Sequence, residues 1–207
     1  LTSTGSFIQA NLFYLSKHCK DIAAQPHTAK GLDELALLSA DGTTALLVRK
    51  VDTVFSETAL DVQTPSQRIA YGDINNDKKL DLLFFGKKRV GISPLIRQKD
   101  GGYSGGSLLF PDLSISDLQC ADLNGDGITD IFVLNWLTNQ LALFYGIGRG
   151  VFSEQVEVTL PGEPDDITIS PLTKERSLRI AVSIPEEKLV ATFTCNAMGE
   201  IESTGKL

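Results

Sequence analysis

Short apolar runs recur along this chain, each closed by Asp, Asn or Gly, and none repeats with the 3.6-residue period of a helix. "DIFVLNW" (130–136) is apolar at nearly every position, the pattern of a strand covered on both faces. "FSEQVEVTL" (152–160) alternates instead: Phe152, Val156, Val158 and Leu160 fall on one side, Ser153, Gln155, Glu157 and Thr159 on the other. With "LQCAD" before them and "NQLALFYG" after a Thr138-Asn139 turn, residues 117–163 predict four strands, the middle ones doubly buried and the last half wet. Residues 18–32 are too polar, and too broken by Pro26 and Gly31, to predict a helix.

The pattern repeats. A turn followed by an aromatic places Phe7, Phe55, Tyr103 and Phe152 at intervals of 48, 48 and 49 residues, and a further 49 reaches Ile201. A second series keeps the same step, in the runs that open at Leu35, Leu82, Ile131 and Ile180. Four antiparallel strands per repeat, dry in the middle and wet outside, describe a propeller blade. The expected fold is therefore all-β: a β-propeller domain or segment over 1–207, with about four four-stranded antiparallel blades at 18–66, 67–115, 116–163 and 164–207. Residues 1–17 are expected to form the outer strand of a preceding or closing blade. The propeller either closes on itself through residues 7–15 or belongs to a larger one, and an open edge would invite self-association.

Composition narrows the partners. Hydrophobic residues make up 42% and charged residues 22%, and no apolar run approaches the ~18 residues of a membrane span, so no membrane insertion is expected. A net charge of −7 without a Lys/Arg stripe argues against nucleic acid and toward cations. Cys19, Cys120 and Cys195 are widely spaced within apolar stretches and read as buried thiols. The start at Leu1, without Met or a signal-like segment, reads as a processed or excised piece.

"DLNGDGITD" places Asp122, Asn124 and Asp126 at alternate positions, then Gly127, the Ile128 carbonyl and Asp130. Alternate oxygens on a sharply turning loop suit a hard cation, and no His or Cys is present to favour a softer metal. "DINNDKKLD" repeats the set 49 residues earlier with Asp73, Asn75, Asp77, Lys79 for the carbonyl and Asp81. Lys78 stands where the first loop has glycine, so weaker binding is expected there. Two Ca²⁺ sites are thus expected. Neither loop is an EF-hand, since position 12 is Phe84 or Val133 rather than Glu. The outer repeats carry Pro171, Thr173, Glu175 and Arg179, or "QPHTAKGLDE", and should not bind calcium.

The DxNxDGxxD loop between strands, the ~48-residue step and the Gly-x-Phe ahead of the outer strand resemble FG-GAP/VCBS repeats, the blades of integrin α-subunit propellers. That resemblance implies a calcium-stabilised propeller, commonly seven-bladed, that is extracellular or secreted. It implies a non-enzymatic adhesion, ligand-binding or scaffolding module with a protein or glycan ligand. The alternative is a carbohydrate-binding, lectin-like or accessory module of a secreted enzyme.

Decoys for catalysis are weak. Gly102, Ser104 and Gly106 satisfy GxSxG, but they lie at a turn before an outer strand, and both histidines, His18 and His27, precede the serine. The acidic pairs Asp165-Asp166 and Glu186-Glu187 read as solvated strand ends, and Trp136 as a core or rim residue. No catalytic residues are expected.

Overall fold

The computed structural model describes residues 14–25, 34–51, 54–170 and 177–206. It holds four antiparallel four-stranded sheets, each with its strands in sequence order. Sheet one comprises β1 (Cys19–Ala24), β2 (Glu34–Ser39), β3 (Thr44–Val51) and β4 (Val54–Asp61). Sheet two comprises β5 (Arg68–Gly72), β6 (Asp81–Phe85), β7 (Ser93–Arg97) and β8 (Tyr103–Gly105). Sheet three is β9 (Ile115–Ala121), β10 (Asp130–Asn135), β11 (Gln140–Gly148) and β12 (Val151–Thr159), and sheet four β13 (Ile167–Ile169), β14 (Ser177–Ile184), β15 (Leu189–Asn196) and β16 (Ile201–Lys206). The result is an all-β fold of blade-like sheets. Most of the expected strand over 1–17 lies outside the described residues, as do His27, Pro171, Thr173 and Glu175. Among the described residues no helix is long and apolar enough to cross a membrane.

Side-chain parity explains the nearly continuous apolar runs. In β6, Leu82 and Phe84 pack toward sheet one with Leu38, Leu47 and Ile69, whereas Leu83 and Phe85 pack toward sheet three. In β10, Ile131 and Val133 join that second core, while Phe132 and Leu134 enter a third with Leu178, Val182 and Phe193 of sheet four. Each such side chain contributes about 1.5–3 kcal/mol when fully buried, so a strand with both faces covered is doubly anchored. Close approach is needed as well: a Cβ on Gly72 would sit 2.7 Å from the Cys120 Sγ of sheet three.

The alternation expected along 152–160 does not run through a single face. The β11–β12 register shifts between Phe144 and Gly146, so that Phe152 packs between sheets two and three while Val158 packs against the core shared with sheet four. The bulge puts one extra residue into β12, which reverses the parity of everything beyond it.

The first strands of successive sheets, β1, β5, β9 and β13, are neighbours. They bring one end of each repeat to a common centre, which is where the charged groups described next converge.

Candidate functional site: a charged arc at the ends of the first strands

One position recurs immediately ahead of an apolar residue of each first strand, Ile22, Ile69, Leu118 or Ile167: Asp21, Arg68, Asp117 and Asp166, spaced by 47 to 49 residues. A strand edge carries unpaired N–H groups, and the carboxylates satisfy them across sheets. Asp21 Oδ2 accepts from the Ile69 N–H at 2.7 Å, and Asp117 Oδ2 from the Ile167 N–H at 3.0 Å. Arg68 breaks the acidic series. Its Nη2 stands 2.5 Å from Asp166 Oδ1. Burial pulls the guanidinium down, but Asp166, Asp117 and Asp21 outweigh it and hold its pKa above the usual value. Asp117 is pushed up to about 6, chiefly by burial, with the Ile167 and Leu118 N–H groups and Arg68 opposing.

The arc opens onto a cleft of about 700 Å³ whose lining includes Lys20, Asp21, Ser66, Arg68, Lys88 and Arg89. Beside it, Lys87 Nζ bridges Glu163 at 2.8 Å and Asp165 at 2.9 Å. The acidic pair at 165–166 is therefore ion-paired to sheet two rather than merely solvated. Glu186 and Glu187 remain exposed on a 3₁₀ turn, Pro185–Glu187. Chemically, the arc offers a carboxylate able to exchange protons near neutrality and a fixed cation beside it.

At the other ends of the strands lie the two loops singled out for calcium. Asp73 accepts from the Asp77 and Lys78 N–H groups, Asn75 from Asp77 and Asp77 from Lys79. Asp122 accepts from Gly125 and Gly127, Asn124 from Asp126 and Asp126 from Ile128. Each loop thus closes on its own backbone donors. Asp81 and Asp130 turn inward at 0% exposure. Asp81 accepts from Ile74 and Arg97, and Asp130 from Leu123 and Gly146, a matching bracket in both repeats.

The 73–81 loop carries two ammonium groups that the 122–130 loop lacks. Lys78 Nζ stands 3.1 Å from Asn76 Oδ1 and 3.0 Å from the Gly127 carbonyl, and Lys79 Nζ 3.2 Å from Asp77 Oδ2. Asn76 and Lys78 hold φ of 61° and 69° where the other loop has Gly125 and Gly127 at 74° and 83°. The turn shape is kept without glycine, at the cost of left-handed strain. Among the described residues no three His, Cys, Asp or Glu side chains converge as a metal cluster.

Glu34 opens β2 as Asp81 opens β6, and it is 2% exposed. Tyr71, Tyr103 and Arg97 donate to it, and Arg49 completes the set. Burial pushes Glu34 up, but Tyr71, Arg49 and Arg97 outweigh it and hold its pKa below the usual range. This network locks sheet one to sheet two. Ser104 of the GxSxG stretch receives Gln98 Nε2 at 2.7 Å on β8, far in sequence from His18. Cys19, Cys120 and Cys195 are free thiols. Sequence reading missed Asp21, Arg68 and Asp117. The signal was present in the repeat alignment, one residue before an apolar position of each first strand.

No protein-family profile matches the chain, and no curated protein sequence matches it. Solved structures do. A protein of Lactobacillus plantarum matches at 12% identity and a TM-score of 0.68, over 100% of this chain and 60% of its own. A provisionally assigned 6-phosphogluconolactonase of Bacteroides uniformis matches at 12% and 0.64, over 89% of this chain and 54% of its own. The periplasmic gluconolactonase of Pseudomonas aeruginosa matches at 11% and 0.58, over 89% and 56% respectively. The chain thus spans 54–60% of the length of these three structures.

These findings correct two expectations. The resemblance to FG-GAP/VCBS repeats is overturned, because the fold resembles those of a gluconolactonase and of a provisionally assigned 6-phosphogluconolactonase. The expectation of a non-enzymatic adhesion or scaffolding module, with no catalytic residues, rested on that resemblance and falls with it; the neighbours named for an activity are lactonases. The physical reason is that a nine-residue Asp/Asn/Gly loop closing on its own N–H groups is a turn solution open to any tight hairpin, so it specifies local geometry rather than family.

Proposed function

We propose that the chain carries the substrate site of a propeller hydrolase acting on lactones of the sugar-acid type. The observation that carries the reading is the charged arc: Asp117, pushed up to about 6, sits in the field of Arg68, and Arg68 lines the cleft. The lactonases among the matched folds support the choice of reaction.

In this reading Asp117 takes a proton from the attacking water as its oxygen bonds to the lactone carbonyl carbon. Arg68, aimed by Asp166, stabilises the oxyanion that forms. The ring C–O bond then breaks, and the proton held by Asp117 passes to the departing alkoxide, leaving a hydroxy acid. Asp21 positions β5, and hence Arg68, through the Ile69 N–H.

A single structural calcium belongs to the same proposal, at the 122–130 loop, with Asp122, Asn124, Asp126 and the Ile128 carbonyl as its ligands. Asp130, which ends the loop, accepts the Leu123 and Gly146 N–H groups from its buried position. An extracytoplasmic location, as for the periplasmic gluconolactonase, is the compartment proposed; fractionation that left the native protein wholly in the cytoplasm would reject it.

The test is a pH-stat assay with glucono-δ-lactone against the spontaneous rate. Asp117→Asn and Arg68→Gln should each lower kcat by about 10²-fold or more, and the acidic limb of the wild-type profile should bend near pH 6. A wild-type rate equal to the spontaneous one, or full activity in both variants, rejects the reading.

A further inference from the structure

We infer that Arg89, flanked by Lys20 and Lys88, forms an oxyanion-binding subsite in the cleft beside the arc, one that takes a phosphate or carboxylate group of the substrate or product. The inference rests on reading that cleft as the substrate site, and it extends that reading to the charge of the ligand.

Arg89 sits in the turn between β6 and β7 and lines the cleft. Its Nη1 donates to Ser66 Oγ at 2.7 Å and the Thr64 carbonyl at 3.3 Å, and its Nη2 to Ser93 Oγ. All three acceptors are neutral. Its Nε is buried without any acceptor. Arg49 and Arg97 meet Glu34, Arg68 meets Asp166, and Lys87 meets Glu163 and Asp165, but no such carboxylate faces Arg89 among the described residues. Burial accordingly pulls its pKa down. A partly buried guanidinium with only neutral partners is an uncompensated charge, and its planar fork matches a phosphate or carboxylate edge.

The surroundings reinforce the point. The two acids on the cleft wall are engaged elsewhere. Asp21 accepts from the Ile69 N–H, and Asp41 accepts from Ser39 Oγ at 2.6 Å, the Thr43 N–H at 3.0 Å and Thr43 Oγ1 at 2.9 Å. Lys20 and Lys88 are exposed on the same wall. Gln67 Oε1 receives the Lys88 N–H at 2.8 Å, which fixes the backbone of the turn that carries both cations. An arriving anion therefore meets Lys20, Lys88 and Arg89 as well as the ion-paired Arg68, against two carboxylates held on backbone and hydroxyl donors.

The experiment measures binding of inorganic phosphate, D-gluconate and 6-phosphogluconate by calorimetry and thermal shift, in wild type, Arg89→Gln, Lys88→Glu and Asp117→Asn. Phosphate should raise the melting temperature of the wild type and of Asp117→Asn. Arg89→Gln should weaken phosphate about tenfold or more, and Lys88→Glu, an exposed change that leaves folding intact, several-fold. Tighter 6-phosphogluconate than gluconate identifies a phosphate ester as the natural group; the reverse order identifies the carboxylate. Equal phosphate affinity in wild type, Arg89→Gln and Lys88→Glu, or no binding at all, overturns the inference. Phosphate binding that depends on Arg89 in a protein that hydrolyses no lactone would uphold the subsite and reject the proposed reaction. Lactone hydrolysis without anion binding would do the opposite.

Discussion

Replacing Asp130 by alanine isolates the bracket that holds the opening of β10. The side chain is 0% exposed and accepts the Leu123 N–H at 2.8 Å and the Gly146 N–H at 2.9 Å. Both donors belong to buried residues, so the alanine variant leaves two backbone N–H groups without acceptors. At about 1–3 kcal/mol each, the gross loss is about 2–6 kcal/mol. Burial of the carboxylate already costs something, as its raised pKa shows, and removing it returns part of that cost. The expected net loss is therefore in the lower half of the range, about 2–3 kcal/mol, against a total margin of about 5–15 kcal/mol for a typical domain. Asp130→Asn keeps one acceptor and should lose roughly half as much. Urea unfolding followed by circular dichroism, with a check that the m-value is unchanged, reads the difference. Asp81→Ala should lose a matching amount, since Asp81 brackets Ile74 and Arg97 in the same way. A loss under about 0.5 kcal/mol in Asp130→Ala, the size of an ordinary surface change, would refute the bracket argument.

The carboxyl of Asp117, pushed up to about 6, binds protons more tightly folded than unfolded, where Asp titrates near ~3.9, so its contribution to stability falls as pH rises from about 4 to 6 and then levels off. The melting temperature of wild type minus that of Asp117→Asn should accordingly decrease over that window; an increase would contradict the assigned burial. Glu34 behaves in the opposite sense: its lowered pKa makes its contribution present above ~4.3 and lost as pH falls through the folded value, and Glu34→Ala should cost about 3–5 kcal/mol in chemical unfolding by stranding Arg97 and Arg49. Lys78→Gly should relieve the left-handed strain at φ 69° and raise stability by up to about 1 kcal/mol, less what the contact with the Gly127 carbonyl contributes. Calcium added after EGTA treatment should raise the melting temperature of wild type and Asp77→Asn but not of Asp122→Asn; a shift lost in Asp77→Asn would place the ion in the other loop.

The strands were legible because their signal is local. Residues 131–134 are apolar at both parities, and the fold covers both parities, with Ile131 and Val133 facing one neighbour and Phe132 and Leu134 the other. The bulge in β12 was not legible, since Ser153 and Glu154 look like ordinary alternation until the partner strand sets the register. The Asp122 loop announced its turn chemistry correctly, but its carboxylates proved too generic to identify a family. Asp130 read as a ligand because it ends the motif; that it also accepts the Leu123 and Gly146 N–H groups was not legible, since Gly146 lies 16 residues away on the third strand of the sheet.

By itself, then, the sequence determined the all-β class, the 48-residue repeat and the position of the Asp/Asn/Gly turns at 73–81 and 122–130. These follow from hydrophobic parity and turn residues acting within a few positions of one another. Only the tertiary structure decided which charges meet. Asp21, Arg68, Asp117 and Asp166 lie nearly 50 residues apart in sequence and converge because the first strands of successive sheets lie side by side. Arg89 meets only the Ser66 and Ser93 hydroxyls and the Thr64 carbonyl, whereas Lys87, two residues earlier, reaches Glu163 and Asp165. Electrostatic pairing acts through space and depends on burial, and neither is encoded in any local window of the chain.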